Sequence, residues 1–254
     1  MKIACYTGTR NLYKDMVPAV KSLLHNSDVD KVYLLIEDDE FPEWLPPQVE
    51  TINMSGQTFF PADGPNMKNQ FTYMALIRSC FTKIFPDADK ILQLDVDTVV
   101  VNDISGLWDM VPDDKWFGAV IEHNGFYHPW GDRYYNIGVA VINLARVRAD
   151  KADDMMINYL RNVASTYIDQ DAWNKFGIWK DVELPVRYNE SDATGYTDDP
   201  AIIHFCRFRD LDKNIRAPRK EYLKKYREMS WEEALNGREG VPSSLPKDDI
   251  KGEK

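Results

Sequence analysis

Cysteine is scarce: Cys5, Cys80 and Cys206 are the only three in 254 residues. They are too few and too scattered for a disulfide framework or a cysteine-type zinc site, and they point to a reducing compartment. Long apolar runs are missing as well. No stretch approaches the ~18–20 residues needed to span a bilayer. The apolar opening at residues 3–6 meets polar Thr7-Gly8-Thr9-Arg10 too early for a signal peptide. A cytoplasmic location is the expectation. Positive charge is in deficit, with 31 Lys plus Arg against 41 Asp plus Glu and a net charge of −10. That balance argues against nucleic acid as a partner, because phosphates attract basic surfaces. Internal repeats and low-complexity tracts are absent. What is present, 44% hydrophobic and 28% charged residues, suits a folded chain with one large domain or two small ones.

Strand-like runs lie at residues 3–6, 31–36 and 90–94, with a weaker edge-like run at 48–54. Between them, apolar residues at helical spacing predict helices over about residues 13–25 and 71–84, the second ending before Pro86. Further strands are expected at 116–121, 137–144 and 202–205, and a helix at 146–164. Strands alternating with helices indicate an α/β protein with a mixed, mainly parallel sheet flanked by helices. Such sheets bind ligands at the carboxyl ends of their strands. The acidic run Glu37-Asp38-Asp39-Glu40 reads as a solvated loop.

At one strand end stands Asp95-Val96-Asp97, set in apolar chain between Leu94 and Thr98-Val99-Val100-Val101. Carboxylates at i and i+2 lie on one side of an extended chain and converge. Their repulsion is relieved by an oxygen-preferring divalent cation. The plainer alternative is a pair of aspartates capping a turn.

With its neighbours, this stretch resembles retaining glycosyltransferases of family 8, the glycogenin and lipopolysaccharide galactosyltransferase family. The resemblance runs from Ile3 to about Lys213 in five ordered blocks. These are the opening strand with Thr7-Gly8-Thr9 and Tyr13, then Arg78 through Asp97. Tyr135-Asn136-Ile137-Gly138-Val139 follows, then Asp169-Gln170-Asp171, and last Ile203-His204-Phe205. The resemblance implies a Rossmann-like GT-A fold, a UDP-sugar donor and Mn2+, with Mg2+ as the alternative ion. It implies that Asp95, Asp97 and His204 hold the metal. Thr7, Thr9 and Tyr13 then lie at the uridine end, and Arg78, Val96, Gly138, Asp169 and Arg207 contact the rest of the donor. Asn136, Gln170 and Asp171 line the sugar and carry the catalysis. The partners implied are the nucleotide sugar and a saccharide or lipid-linked acceptor.

Residues 1–212 are expected to form the catalytic domain, its nucleotide half ending near 101, and residues 213–254 a basic, then polar, extension. The basic stretch 213–227 offers at most a peripheral membrane contact, and a solvated helix packed by Tyr222 and Leu223 is favoured. The aromatic loop at 122–130, with His123 and His128, fits either a sugar-stacking surface or a plain loop. The run after His204 lacks the family's glycine and Lys-Pro-Trp. Two other functions stay open. One is a haloacid-dehalogenase-like phosphatase with Asp95 as nucleophile and Asp97 as acid/base. The other is a degenerate transferase that binds nucleotide sugar or glycan without turnover.

Overall fold

The computed structural model describes residues 1–68, 71–123, 133–206 and 217–237. Its elements in chain order are β1 (Ile3–Thr7), α1 (Tyr13–Asn26), β2 (Lys31–Ile36), β3 (Val49–Asn53), a 3-10 helix (Tyr73–Cys80) running into α2 (Phe81–Ile84), β4 (Lys90–Leu94) and β5 (Thr98–Val100). Then come β6 (Phe117–Ile121), β7 (Tyr135–Asn143), α3 (Leu144–Ala149), α4 (Ala152–Asn162), α5 (Asp169–Phe176), β8 (Asp181–Glu183), β9 (Ile202–His204), α6 (Ala217–Glu228) and α7 (Trp231–Asn236).

Seven strands form one sheet in the order β3-β2-β1-β4-β7-β6-β8, while β5 and β9 pair separately. The β3-β2-β1-β4 half is parallel; β7 runs antiparallel to both β4 and β6. Period-two alternation divides β1 between two cores. Ile3 and Cys5 join one cluster with the 3-10 helix, α4 and α5; Ala4 and Tyr6 join another with α1. The chain steps outward from β1 to β2 and β3, then crosses back to β4 on the other side. The sheet's switch point, where such folds open a ligand crevice, therefore lies between the carboxyl ends of β1 and β4.

Two expected helices differ in detail. The segment over 71–84 is mostly 3-10, and the run over 146–164 is two helices. Its break falls at Lys151, whose φ of 56° is left-handed. A third small core joins Val99, Val101 and Ile203 of the β5/β9 region to Leu223 and Tyr226 of α6 and to Met229, between α6 and α7. Those helices also dock on α1: Lys21 Nζ donates to Met229 O (2.7 Å), and Arg227 pairs with Asp15 (3.3 Å). Among the described residues no helix is long and apolar enough to cross a membrane.

Candidate active site

Asp95 leaves β4 at the switch point. The two aspartates converge through a turn, not through extended alternation. The Thr98 N–H and hydroxyl both donate to Asp95 O, at 3.1 and 2.7 Å. Val96, between them, buries its side chain in the α1-side core. Strand β5 then pairs antiparallel with β9, placing Thr98 opposite His204. That register sets His204 Nε2 3.2 Å from Asp97 Oδ1 and 3.6 Å from Asp95 Oδ2. One ligand atom from each of the three residues lies within 4.8 Å of the others. Two carboxylate oxygens and an imidazole nitrogen are a donor set that fits a divalent ion such as Mn2+. Gly138 on β7 leaves the room: a Cβ there would lie 2.1 Å from His204 Cε1 and 2.8 Å from Asp95 Oδ2.

Arg78 projects from the 3-10 helix and divides its guanidinium between two carboxylates. Nη1 lies 2.6 Å from Asp95 Oδ1; Nη2 and Nε lie 2.7 Å from Asp169 Oδ1 and Oδ2. The Asp95 carboxylate thus gives Oδ1 to Arg78 and leaves Oδ2 facing His204. Asp169 opens α5 directly after Ile168, whose φ of 42° is unfavourable for a β-branched residue. Strain of this kind gathers at functional sites. Burial raises the Asp169 carboxyl to about 6, although the Arg78 charge pulls it down. Burial disfavours a charged His204, but the nearby Cys206 and Asp97 outweigh it and hold the ring's pKa well above its usual value.

Beside this cluster lies a buried chain of amides. Asn136 Nδ2 donates to Glu122 Oε1 (2.7 Å), and Gln170 Nε2 donates to the same oxygen (3.2 Å). Gln170 Oε1 accepts from Ile137 N (3.0 Å). Asn189 bridges Asn136 Oδ1 and His204 Nδ1, each at 2.9 Å. Sequence reasoning gave neither Glu122 nor Asn189 this role. Glu122 stood only as the first residue of the aromatic loop at 122–130, and Asn189 matched only the Asn-x-Ser glycosylation pattern. Asp171 turns elsewhere: its carboxylate accepts from Tyr134 OH (2.5 Å), Ser165 Oγ (2.5 Å) and Tyr167 N (3.0 Å), and so anchors the loop before α5.

At the ends of β1 and β2, Thr7 closes its strand beside Leu35, and Thr9 Oγ1 donates to Asn11 Oδ1 (2.6 Å). Tyr13 OH donates to Asp38 Oδ2 (2.9 Å) and accepts from Glu37 N (2.8 Å). Glu37 also accepts from Arg10 N (2.9 Å) and Tyr73 OH (2.8 Å). Glu37 and Asp38 are therefore structural partners of this corner, not members of a freely solvated charge run. Arg207 and the loop at 124–132 lie outside the described residues.

Comparison with known proteins bears on the fold and the family. A curated relative, glycosyltransferase GlyD of Streptococcus pneumoniae serotype 4, is 23% identical over 91% of this chain, and the chain spans only 30% of its length. Galactosyltransferase LgtC, solved with donor and acceptor sugar analogues, superposes with a TM-score of 0.65 at 19% identity, covering 94% of this chain and 97% of that one. Glycosyltransferase GlyE of S. pneumoniae TIGR4 gives 0.69 at 19% identity, covering 92% of this chain and 62% of its own. These likenesses establish the GT-A fold. The sequence profile described as glycosyl transferase family 8 matches residues 16–208, well over half the chain, and the chain belongs to that family.

Proposed function

We propose that this chain transfers a hexose from a UDP-sugar to a hydroxyl acceptor, with metal dependence and retention of configuration. The observation that carries this is the convergence of Asp95, Asp97 and His204 at the β1/β4 switch point, with Arg78 alongside. Cleaving the bond between sugar and diphosphate places negative charge on the leaving phosphate. A divalent ion bound by the three residues supplies Lewis-acid neutralisation of that charge. Arg78, already oriented by Asp169, adds directed N–H groups beside the same point. Thr7, Thr9 and Tyr13 form the uridine end, with Tyr13 fixed by Asp38 and Glu37. Asn136, Gln170 and Glu122 line the sugar side, and Gln170 sits with both amide ends engaged. Asp171 positions this wall through its loop contacts and does not meet the sugar. The solved relative bound to donor and acceptor analogues supports a two-substrate reading. The phosphatase alternative gains nothing from the fold, since Asp95 follows the fourth strand and faces an imidazole.

Thermal unfolding with UDP and Mn2+, separately and together, tests the site. Ligand at ~100 times its dissociation constant stabilises by about 2.7 kcal/mol, and each kcal/mol moves Tm by about 2–4 °C at this size. Stabilisation that needs both components, and is lost in Asp97→Asn, is the expected result. A donor panel with anomeric NMR of the product then reads sugar and stereochemistry. A shift with Mg2+ and a phosphate mimic, but none with UDP, would overturn the reading. Binding without transfer to any acceptor would leave a nucleotide-sugar binder.

A further inference from the structure

Backbone donors fix the polarity of the amide chain. It starts from Gly138 N, a group that can only donate. That nitrogen lies 3.0 Å from Asn136 Oδ1, so the Asn136 oxygen faces Gly138 and its nitrogen faces Glu122. The same oxygen is 2.9 Å from Asn189 Nδ2, which must be the nitrogen end of Asn189. The Asn189 oxygen is then the atom 2.9 Å from His204 Nδ1. An amide oxygen only accepts, so Nδ1 carries a proton. The far end agrees. Gln170 Oε1 faces the donor Ile137 N, which turns its nitrogen to Glu122 Oε1. Two backbone N–H groups on adjacent β7 residues thus fix the polarity of the whole chain.

We propose that Asn189 is a positioning residue, holding His204 in the Nδ1–H form so that Nε2 presents a lone pair toward Asp95 and Asp97. Asn189 is fully buried, and both ends of its amide are used. The backbone around it is shared with the ligand: His204 N–H donates to Glu190 O (2.8 Å), and Glu190 N–H to Ile202 O (2.9 Å). A histidine ligand is oriented and made more basic by the partner of its other nitrogen, and loss of such a partner costs about 10–100-fold in metal affinity. This rests on the metal site proposed above, but its first test does not require a metal.

That test is the long-range 1H–15N spectrum of the His204 ring in the metal-free protein, followed upward in pH until the ring is neutral. The expected neutral form carries its proton on Nδ1; a proton on Nε2 would overturn the proposal. The second test is Mn2+ affinity in the presence of UDP, read from the spin-resonance signal of free Mn2+. Asn189→Leu, which loses both contacts, is expected to bind Mn2+ about 10–100-fold more weakly. Asn189→Asp keeps an acceptor toward Nδ1 while giving up the donation to Asn136 Oδ1, and is expected to bind Mn2+ more tightly than Asn189→Leu. Unchanged affinity in a folded Asn189→Leu protein would also overturn it. Failure of the wild type to bind Mn2+ with UDP counts against the functional reading instead, and the ring spectrum still decides this one. If Asn189→Leu does not fold, the wild-type ring spectrum decides.

Discussion

Gly138 shows how tightly one residue is specified. Its missing side chain is the space into which His204 and Asp95 fit. Gly138→Ala must push His204 away, because Asp95 is tied to Arg78 and Gln93 (3.1 Å) on its other side. The expected outcome is a protein with wild-type far-UV circular dichroism and Mn2+ affinity weakened at least tenfold, measured by calorimetry. Asp169 gives a pH prediction. Its folded pKa of about 6 exceeds the unfolded value near 3.8. Between those values the folded state holds a proton that the unfolded state has lost, so this group's contribution to stability falls as pH rises from 4 to 6. A rise of that size corresponds to roughly 3 kcal/mol. Asp169→Asn should flatten the pH dependence of urea unfolding across that window. The Asp95, Asp97 and His204 cluster was legible in the sequence because an Asp-x-Asp in apolar chain is unusual and ordered blocks flank it. Asn189 and Glu122 were not. A single amide or carboxylate earns its place through partners far along the chain, here at His204 and at Asn136 and Gln170, and no spacing encodes that.

Among the elements, strands were read most faithfully, since buried parallel strands are short apolar runs bounded by turn residues. Helices were less faithful where local geometry overrode periodicity. The apolar spacing of residues 146–164 continues through a left-handed Lys151 that ends one helix and starts the next. The 3-10 helix carrying Arg78 has apolar periodicity much like that of an α-helix, and only its tighter winding distinguishes it. Of the basic stretch at 213–227, residues 217–227 are described; there α6 buries Leu223, as the packed-helix expectation has it, but its buried tyrosine is Tyr226, with Tyr222 only partly covered. Its charges are partly structural. Arg219 Nε lies 2.6 Å from Glu190, whose carboxylate is almost wholly buried and also accepts from Thr197 N (3.1 Å). Helix α6 is thereby tied to the segment that carries Asn189. Removing one partner of such a pair leaves a buried charge behind. Arg219→Ala should lower the unfolding free energy by about 2–3 kcal/mol in urea titration. The double variant Arg219→Ala with Glu190→Gln should recover part of that loss.

At the scale of the molecule, the site is assembled from two sheets. The seven-stranded sheet supplies Asp95, Gly138 and Asn136, and the β5/β9 pair fixes Asp97 and His204. The large sheet is held by packing on both faces. The small one has only two strands, and two strands alone are marginally stable. One of its faces, with Val100 and Ile202, packs into the α1-side core; the other is covered by the third core, where Val99, Val101 and Ile203 meet Leu223, Tyr226 and Met229. Tyr226 is central there: its ring is buried, and its hydroxyl accepts from Asn26 Nδ2 (2.6 Å), which also donates to Val100 O (2.9 Å). The C-terminal helices therefore bear on the Asp95, Asp97 and His204 cluster through the strands beneath it. Tyr226→Ala should cost about 3–5 kcal/mol, as aromatic truncation in a core does. Its second effect distinguishes this account from simple loss of stability. Strands β5 and β9 should loosen first, so backbone amides of residues 98–100 and 202–204 should exchange hydrogen faster while those of β1 and β4 keep their protection. Mn2+ affinity should fall with them at a temperature where the protein is still folded. Uniform loss of protection across both sheets, with metal affinity intact, would show that the two sheets form one cooperative unit and that the helices stabilise the fold without tuning the site.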